Sequence, residues 1–247
     1  MRIDRYLSNS GYGTRSDVRS LIRAGRVTID GRPVTDPSFS GFPEEDSLVA
    51  IDGEPIRFSR FIYIALYKPD GYLTAMEDKR LPTVADLLPS DLLGKGISPV
   101  GRLDYHTTGL LIITNNGTLS HRLTSPKWHA EKVYYVTFEG EALTETEQEL
   151  FASGMTLIED GHVPERLAPA KLEPTSENTC LLTLTEGRSH QVKRMLAQVN
   201  RPVIALHRKS VAGVCLQPSQ KPGDYRFLDK TEVQQLFYVT KMDPSQI

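Results

Sequence analysis

Seven residues, Phe61 to Tyr67, make up the longest unbroken apolar run in the chain. A helix that crosses a bilayer needs roughly 20. The core must therefore be assembled from short elements contributed by many parts of the 247 residues. That length is comfortable for two domains of roughly 100–200 residues or fewer each. With 39% hydrophobic and 24% charged residues, the chain is neither disordered, collagen-like nor dominated by coiled coil. Cys180 and Cys215 make neither a disulfide framework nor a metal box, and suit a reducing compartment. Charges at Arg2, Asp4 and Arg5 come too early for a secretory signal, so a cytoplasmic protein is expected.

The formal net charge is −2, but the charges are segregated. Residues 1–33 hold seven arginines against three aspartates, and residues 186–209 hold six Lys and Arg against Glu186 alone. Residues 139–161 carry seven acids and no Lys or Arg. Such clustering focuses a positive field on part of a near-neutral surface, as a polyanion-binding protein needs.

The first sixty residues read as a small module. Ile3, Tyr6 and Leu7 recur at helical spacing, and Gly11-Tyr12-Gly13 ends that helix. Thr14 and Asp17 resemble a capping box opening a second helix, with Val18, Leu21 and Ile22 on one face. Gly25 stands where that helix would stop. Val27–Ile29, Asp30-Gly31 and Arg32–Val34 then form a tight hairpin. Arg15, Arg19 and Arg23 are four apart on the face away from the apolar stripe, and Arg26 extends the row. A solvated helix face would look similar, but a row made only of arginine suits phosphate. Residues 36–60 read as a turn-rich finish and a link.

From residue 61 onward, strand-like and helix-like segments alternate. Strands are expected at Phe61–Tyr67, Leu110–Thr114, Val133–Phe138, Ala168–Leu172, Cys180–Thr185 and Val203–Leu206. Helices are expected at Val84–Leu88, Thr118–Leu123, Glu145–Ala152, Gln191–Val199 and Lys230–Leu236. This mix implies an α+β domain on a mixed, mostly antiparallel sheet with flanking helices. The boundary between the two domains, 1–59 and 60–247, is placed between residues 59 and 60.

Phosphate-binding glycine loops, dinucleotide fingerprints and paired-histidine metal motifs are missing from the sequence, so no cofactor or metal is expected. His129, His162, His190 and His207 are scattered. Ser189 and His190 are adjacent, and neighbours on a helix point about 100° apart, a poor nucleophile–base pair. Two stretches carry candidate chemistry. In GRLDYHTTGL (101–110), Asp104 lies in a loop feeding an apolar strand, where sites commonly lie; alone it reads equally as a turn former or a helix cap. In EGRSHQVKRM (186–195), several cations gather near a helix start, where orphan N–H groups add to the attraction for anions.

Together these stretches resemble a known family. Residues 1–48 resemble an S4 domain, a small RNA-binding module. Residues 61–240 resemble the catalytic domain of pseudouridine synthases that modify ribosomal RNA. The run GRLDYHTTGLLIITNNG matches that family's signature, with Asn116 in place of the usual Asp, a mild change in a turn. EGRSHQVKRM is closer to the small-subunit branch than to large-subunit relatives, which read more like EGRNRQIRRM; Ser189 departs from the tyrosine common in the former.

The resemblance implies an isomerase acting on a uridine of rRNA, with 16S as the expected target. Asp104 would be the catalytic carboxylate, Arg102 would help hold the extruded nucleotide, Tyr134 would pack on the base, and Lys193 would pair with the aspartate. Tyr135 competes with Tyr134, since successive side chains of a strand face opposite ways. RNA contacts are expected from Arg2, Arg5, Arg15, Arg19, Arg23, Arg26, Arg188, His190, Gln191 and Arg194. The chemistry fits a carboxylate stabilising or attacking an electron-poor C1′, as in glycosidases, beside a cation that favours the ionised form. A base in folded RNA must be extruded at a cost of a few kcal/mol. A monomer is expected, since no long apolar stripe demands a partner. The alternatives are a large-subunit (23S) enzyme and a non-catalytic assembly factor. A glycosidase would need a second acid beside Asp104, and neither motif has one.

Overall fold

The computed structural model describes residues 1–10, 12–42, 47–56, 61–158 and 163–243. Gly11, His162, the acidic stretch 43–46 and the expected boundary at 59/60 lie outside the described residues.

The amino-terminal module holds helices α1 (Ile3–Asn9) and α2 (Arg15–Arg23) against four short strands. The Thr14–Asp17 capping box is present, with Thr14 N donating to Asp17 Oδ2 and Asp17 N to Thr14 Oγ1. At the other end of α2, Gly25 N donates to Ile22 O and Arg26 N to Leu21 O, the paired bonds of a helix stop built on a left-handed glycine. Strands β1 (Val27–Ile29) and β2 (Arg32–Val34) form the expected hairpin. The link expected over 36–60 is corrected: β3 (Val49–Ile51) and β4 (Glu54–Ile56) complete a sheet of order β2-β1-β3-β4. Ile3, Tyr6, Leu7, Val18, Ile22, Val27 and Val49 close a core of their own.

The larger unit contains β5 (Tyr63–Lys68), a 3-10 turn at Val84–Leu87, α3 (Ser90–Leu93), β6 (Ser98–Pro99), β7 (Thr107–Thr114), α4 (Gly117–Thr124) and β8 (Lys132–Phe138). It continues through α5 (Glu145–Ala152), β9 (Thr156–Leu157), β10 (Glu165–Arg166), β11 (Lys171–Ser176), β12 (Thr179–Leu184) and α6 (Gln191–Gln198). It ends with β13 (Val203–Val211), β14 (Val214–Cys215), β15 (Tyr225–Phe227) and α7 (Lys230–Val239). The large sheet runs β11-β12-β8-β13-β7-β5-β15, with β14 beside β13 and β6 beside β7. Every pairing is antiparallel except β13 with β7, so the expected mixed, mostly antiparallel α+β domain is present.

The long apolar run has a simple cause. Ile64, Leu66, Leu111 and Ile113 point into one core, and Tyr63, Ala65, Leu110 and Ile112 into a second on the opposite face. Strands covered on both faces read as continuous apolar runs rather than alternating ones. One core is capped by Phe151 of α5 and Met195 and Leu196 of α6, the other by Leu119 of α4 and Leu236 and Phe237 of α7.

Some expected elements change. The helix expected at Val84–Leu88 is a 3-10 turn over Val84–Leu87, the strand expected at 168–172 starts at Lys171, and the strand beginning at Val203 continues through His207, Arg208 and Lys209 to Val211. Where β13 lies beside β7, a Cβ added at Gly109 would fall 2.3 Å from Arg208 O, and Gly109 has φ +109°. Only glycine allows the strands this approach. Asn116 does more than fill a turn. It is buried, caps α4 by accepting from Leu119 N, and donates through Nδ2 to Tyr63 Oη.

Candidate active site

Asp104 sits in the loop that enters β7, and that loop is held from several sides. Thr74 Oγ1 donates to Leu103 O at 2.7 Å and accepts from Leu103 N at 3.1 Å. Gly71 N donates to Tyr105 O, and Thr107 N to Asp104 O. The Lys68 ammonium, fully buried, donates to Pro69 O, Tyr105 O and Thr107 O at 2.8–3.1 Å. Burial pushes Lys68 down to about 8, opposed by the negative charges of Asp70 and Asp104. Sequence reasoning missed this lysine, because Lys68-Pro69-Asp70-Gly71 reads simply as a turn.

The second motif approaches Asp104 from across the sheet. Lys193 on α6 brings Nζ to 3.5 Å from Asp104 Oδ2, and His190 brings Nε2 to 3.5 Å from Oδ1. These are ion-pair separations, longer than a tight hydrogen bond. His190 precedes α6 in a left-handed conformation, φ 49°, so Ser189 and His190 are not helical neighbours as expected. Its placement beside the carboxylate is the second feature missed, since it was expected among RNA contacts.

Behind them lies a buried scaffold. Glu186, 4% exposed, accepts from Ala168 N and Gln191 Nε2 through Oε1 and from Arg188 Nε through Oε2. Gln191 Oε1 accepts from Arg188 N. Gln191, expected among the RNA contacts, is buried with its amide engaged at both ends, and so holds the turn. Arg188 and Arg194 both reach Glu165, and their guanidiniums hold its carboxyl below the usual carboxylate range.

Asp104 and His190 line a cavity of about 350 Å³, together with Arg102, Lys132, Tyr134 and Arg208 among others. The two tyrosines of β8 line different cavities. Tyr134 is 8% exposed and lines this cavity, whereas Tyr135, 38% exposed, lines a groove elsewhere beside Asp70, His106 and His207. The constellation can position a carboxylate against an electron-poor carbon, hold an aromatic ring beside it, and surround both with positive charge.

In the amino-terminal module, the row of arginines is only partly free to meet a ligand. Arg2 and Arg19 both pair at 3.0 Å with Asp4, a buried carboxylate, and Arg26 pairs with Asp52. Arg5 and Arg15 line a separate surface pocket with Arg2, and Arg23 is exposed on α2. Among the described residues, no helix is long and apolar enough to cross a membrane.

Comparison with known proteins agrees with the geometry. Residues 62–198 match RNA pseudouridylate synthase, and residues 1–40 match the S4 domain. The chain is 41% identical to an uncharacterized RNA pseudouridine synthase of Bacillus subtilis (strain 168), covering 94% of this chain and 97% of that one. It is 38% identical to ribosomal small subunit pseudouridine synthase A of Escherichia coli (strain K12), covering 94% and 98%. A crystal structure of a pseudouridylate synthase superposes with a TM-score of 0.66 at 34% identity, covering 96% of this chain and 99% of that chain.

Proposed function

Since this chain belongs to the RNA pseudouridylate synthase family and carries an S4 domain, we propose that it isomerises one uridine of 16S ribosomal RNA, with Asp104 as the catalytic carboxylate. Activity on RNA as a pseudouridine synthase, an isomerase, follows from the family. The 16S target rests on the likeness to ribosomal small subunit pseudouridine synthase A over nearly the whole chain and on the phrase EGRSHQVKRM. The role of Asp104 is carried by one observation: a partly exposed carboxylate flanked at 3.5 Å by Lys193 and His190, on a cavity that Tyr134 also lines.

In this reading the S4 domain, residues 1–59, grips structured rRNA while residues 60–247 react. The uridine swings out of its stack, and Arg102 helps hold it out. The N1–C1′ bond breaks with Asp104 against the sugar carbon, and the freed base turns against Tyr134. C5 then bonds to C1′, and the proton leaves C5 while N1 gains one, so composition is unchanged. Lys193 and His190 hold the carboxylate against C1′ through the charge changes. The protein works as a monomer in the cytoplasm.

Position-resolved mapping of pseudouridine in 16S and 23S rRNA, with and without the protein, tests the target. One 16S position should lose its modification and regain it on complementation. A lost 23S position would transfer the assignment to the large subunit. Asp104→Asn should bind rRNA with unchanged affinity and form no pseudouridine; turnover near the wild-type rate would remove Asp104 from its role.

A further inference from the structure

The buried end of the cavity holds two cations that the reaction scheme leaves unused. On β8, Lys132 lies two residues before Tyr134 and so on the same face; on β13, Arg208 is the residue paired directly with Tyr134. Both line the cavity that Asp104 lines. They are 8% and 2% exposed. Both donate to neutral carbonyls: Lys132 Nζ to Ala130 O at 3.0 Å, and Arg208 Nε to Leu110 O at 2.8 Å. Arg208 Nη2 is buried and has no hydrogen-bond partner among the described residues. The nearby carboxylate of Glu186 is already shared among Ala168 N, Gln191 and Arg188.

Two neighbouring buried cations and an orphaned donor cost free energy unless a ligand uses them. The matching ligand is an anion with several acceptor oxygens, and guanidinium and ammonium groups both suit phosphate. A nucleotide placed with its sugar at Asp104 and its base at Tyr134 brings phosphate oxygens into the same small space. We infer that Lys132 and Arg208 form an anion subsite that takes a backbone phosphate of the target nucleotide. This inference rests on the synthase reading of the site. It gives the cavity a second grip beyond Arg102: the phosphate anchors the extruded nucleotide while its base is detached and turning.

The test titrates 5′-UMP and uridine into the full-length protein and compares dissociation constants. The wild type should bind 5′-UMP roughly tenfold more tightly than uridine, the scale of one or two charge-assisted hydrogen bonds. Lys132→Met and Arg208→Gln should each reduce that preference to below roughly threefold, and Arg208→Lys should retain most of it. Lys132→Met exchanges one long side chain for another, so it remains informative if Arg208→Gln fails to fold. Equal binding of the two probes by the wild type, or an undiminished preference in Lys132→Met, overturns the subsite. So does a fall in kcat with the preference intact, which would assign the cations to the departing base. Asp104→Asn should keep the 5′-UMP preference while losing turnover, so a failure of the catalytic reading shows separately from a failure of the subsite.

Discussion

His190 Nε2 stands 3.5 Å from Asp104 Oδ1, while Lys193 Nζ stands 3.5 Å from Oδ2. Each oxygen of one carboxylate thus faces its own basic side chain, Lys193 from the first turn of α6 and His190 from the residue before that helix. The two are not equivalent, since the His190 side chain is 64% exposed and that of Lys193 38%. Solvent screens the more exposed partner more strongly. Lys193→Met is expected to lower kcat roughly 10²-fold, the scale for removing one positioned electrostatic group. His190→Gln should lower it by roughly tenfold or less. Single-turnover kinetics on an rRNA fragment separates these effects from RNA binding, and a larger loss from His190→Gln would reverse the ranking.

Tyr134 and Tyr135 give a second comparison within one strand. Tyr134→Ala removes a buried ring from the wall of the cavity and also opens a space in the core it adjoins. It should reduce turnover by at least roughly 10²-fold and cost about 3 kcal/mol of stability. Tyr134→Phe keeps the packing and should remain folded, so it isolates the contribution of the hydroxyl. Tyr135→Ala should leave turnover within roughly twofold of wild type. Chemical denaturation with parallel kinetics checks all three, and an inactive Tyr135→Ala with a normal Tyr134→Ala would exchange their roles.

What the sequence disclosed and what it withheld follow from physical differences between residues. Asp104 and Lys193 were legible because they sit in two spaced motifs, and Tyr134 through the family resemblance alone; the fold brings all three together. Lys68 was hidden because a lysine before Pro-Asp-Gly looks like a solvated turn; only tertiary structure reveals three carbonyls around its ammonium. Strand β13 was cut short at Leu206 because His207, Arg208 and Lys209 read as surface. In fact Arg208 is buried, its Nε donating to the Leu110 carbonyl on the neighbouring strand. Strands β3 and β4 have three residues each, too few for a period-two pattern to stand out from surrounding turn formers.

Burial makes Lys132 a pH sensor of stability. Desolvation and the positive charge of Arg208 lower it from 10.5 to about 8, against the opposing pull of Glu186. Between those values the unfolded chain holds a proton that the folded protein does not, so stability rises with pH across the window. The gain of wild type relative to Lys132→Met should be roughly 1–2 kcal/mol between pH 7.5 and 9.5. Measuring both proteins cancels other titrations, including that of Tyr63, which burial pushes up to about 12. A difference that stays flat, or falls as pH rises, would place an uncompensated positive charge elsewhere.

The S4 arginines divide by their partners. Arg19 Nε lies 3.0 Å from Asp4 Oδ2, and Asp4 is 2% exposed. Arg19→Glu therefore sets a carboxylate beside a buried carboxylate and should destabilise the module by roughly 2–3 kcal/mol, so a loss of RNA binding in that variant would be ambiguous. Arg23 is exposed in the last turn of α2, and Arg23→Glu should leave stability within roughly 0.5 kcal/mol. If the row meets phosphate, that variant alone weakens rRNA binding and reduces the slope of log K against log salt by about one. Filter binding across a salt series measures both quantities. An unchanged slope together with unchanged affinity would make Arg23 ordinary solvated surface and leave RNA capture to the arginines beside α1.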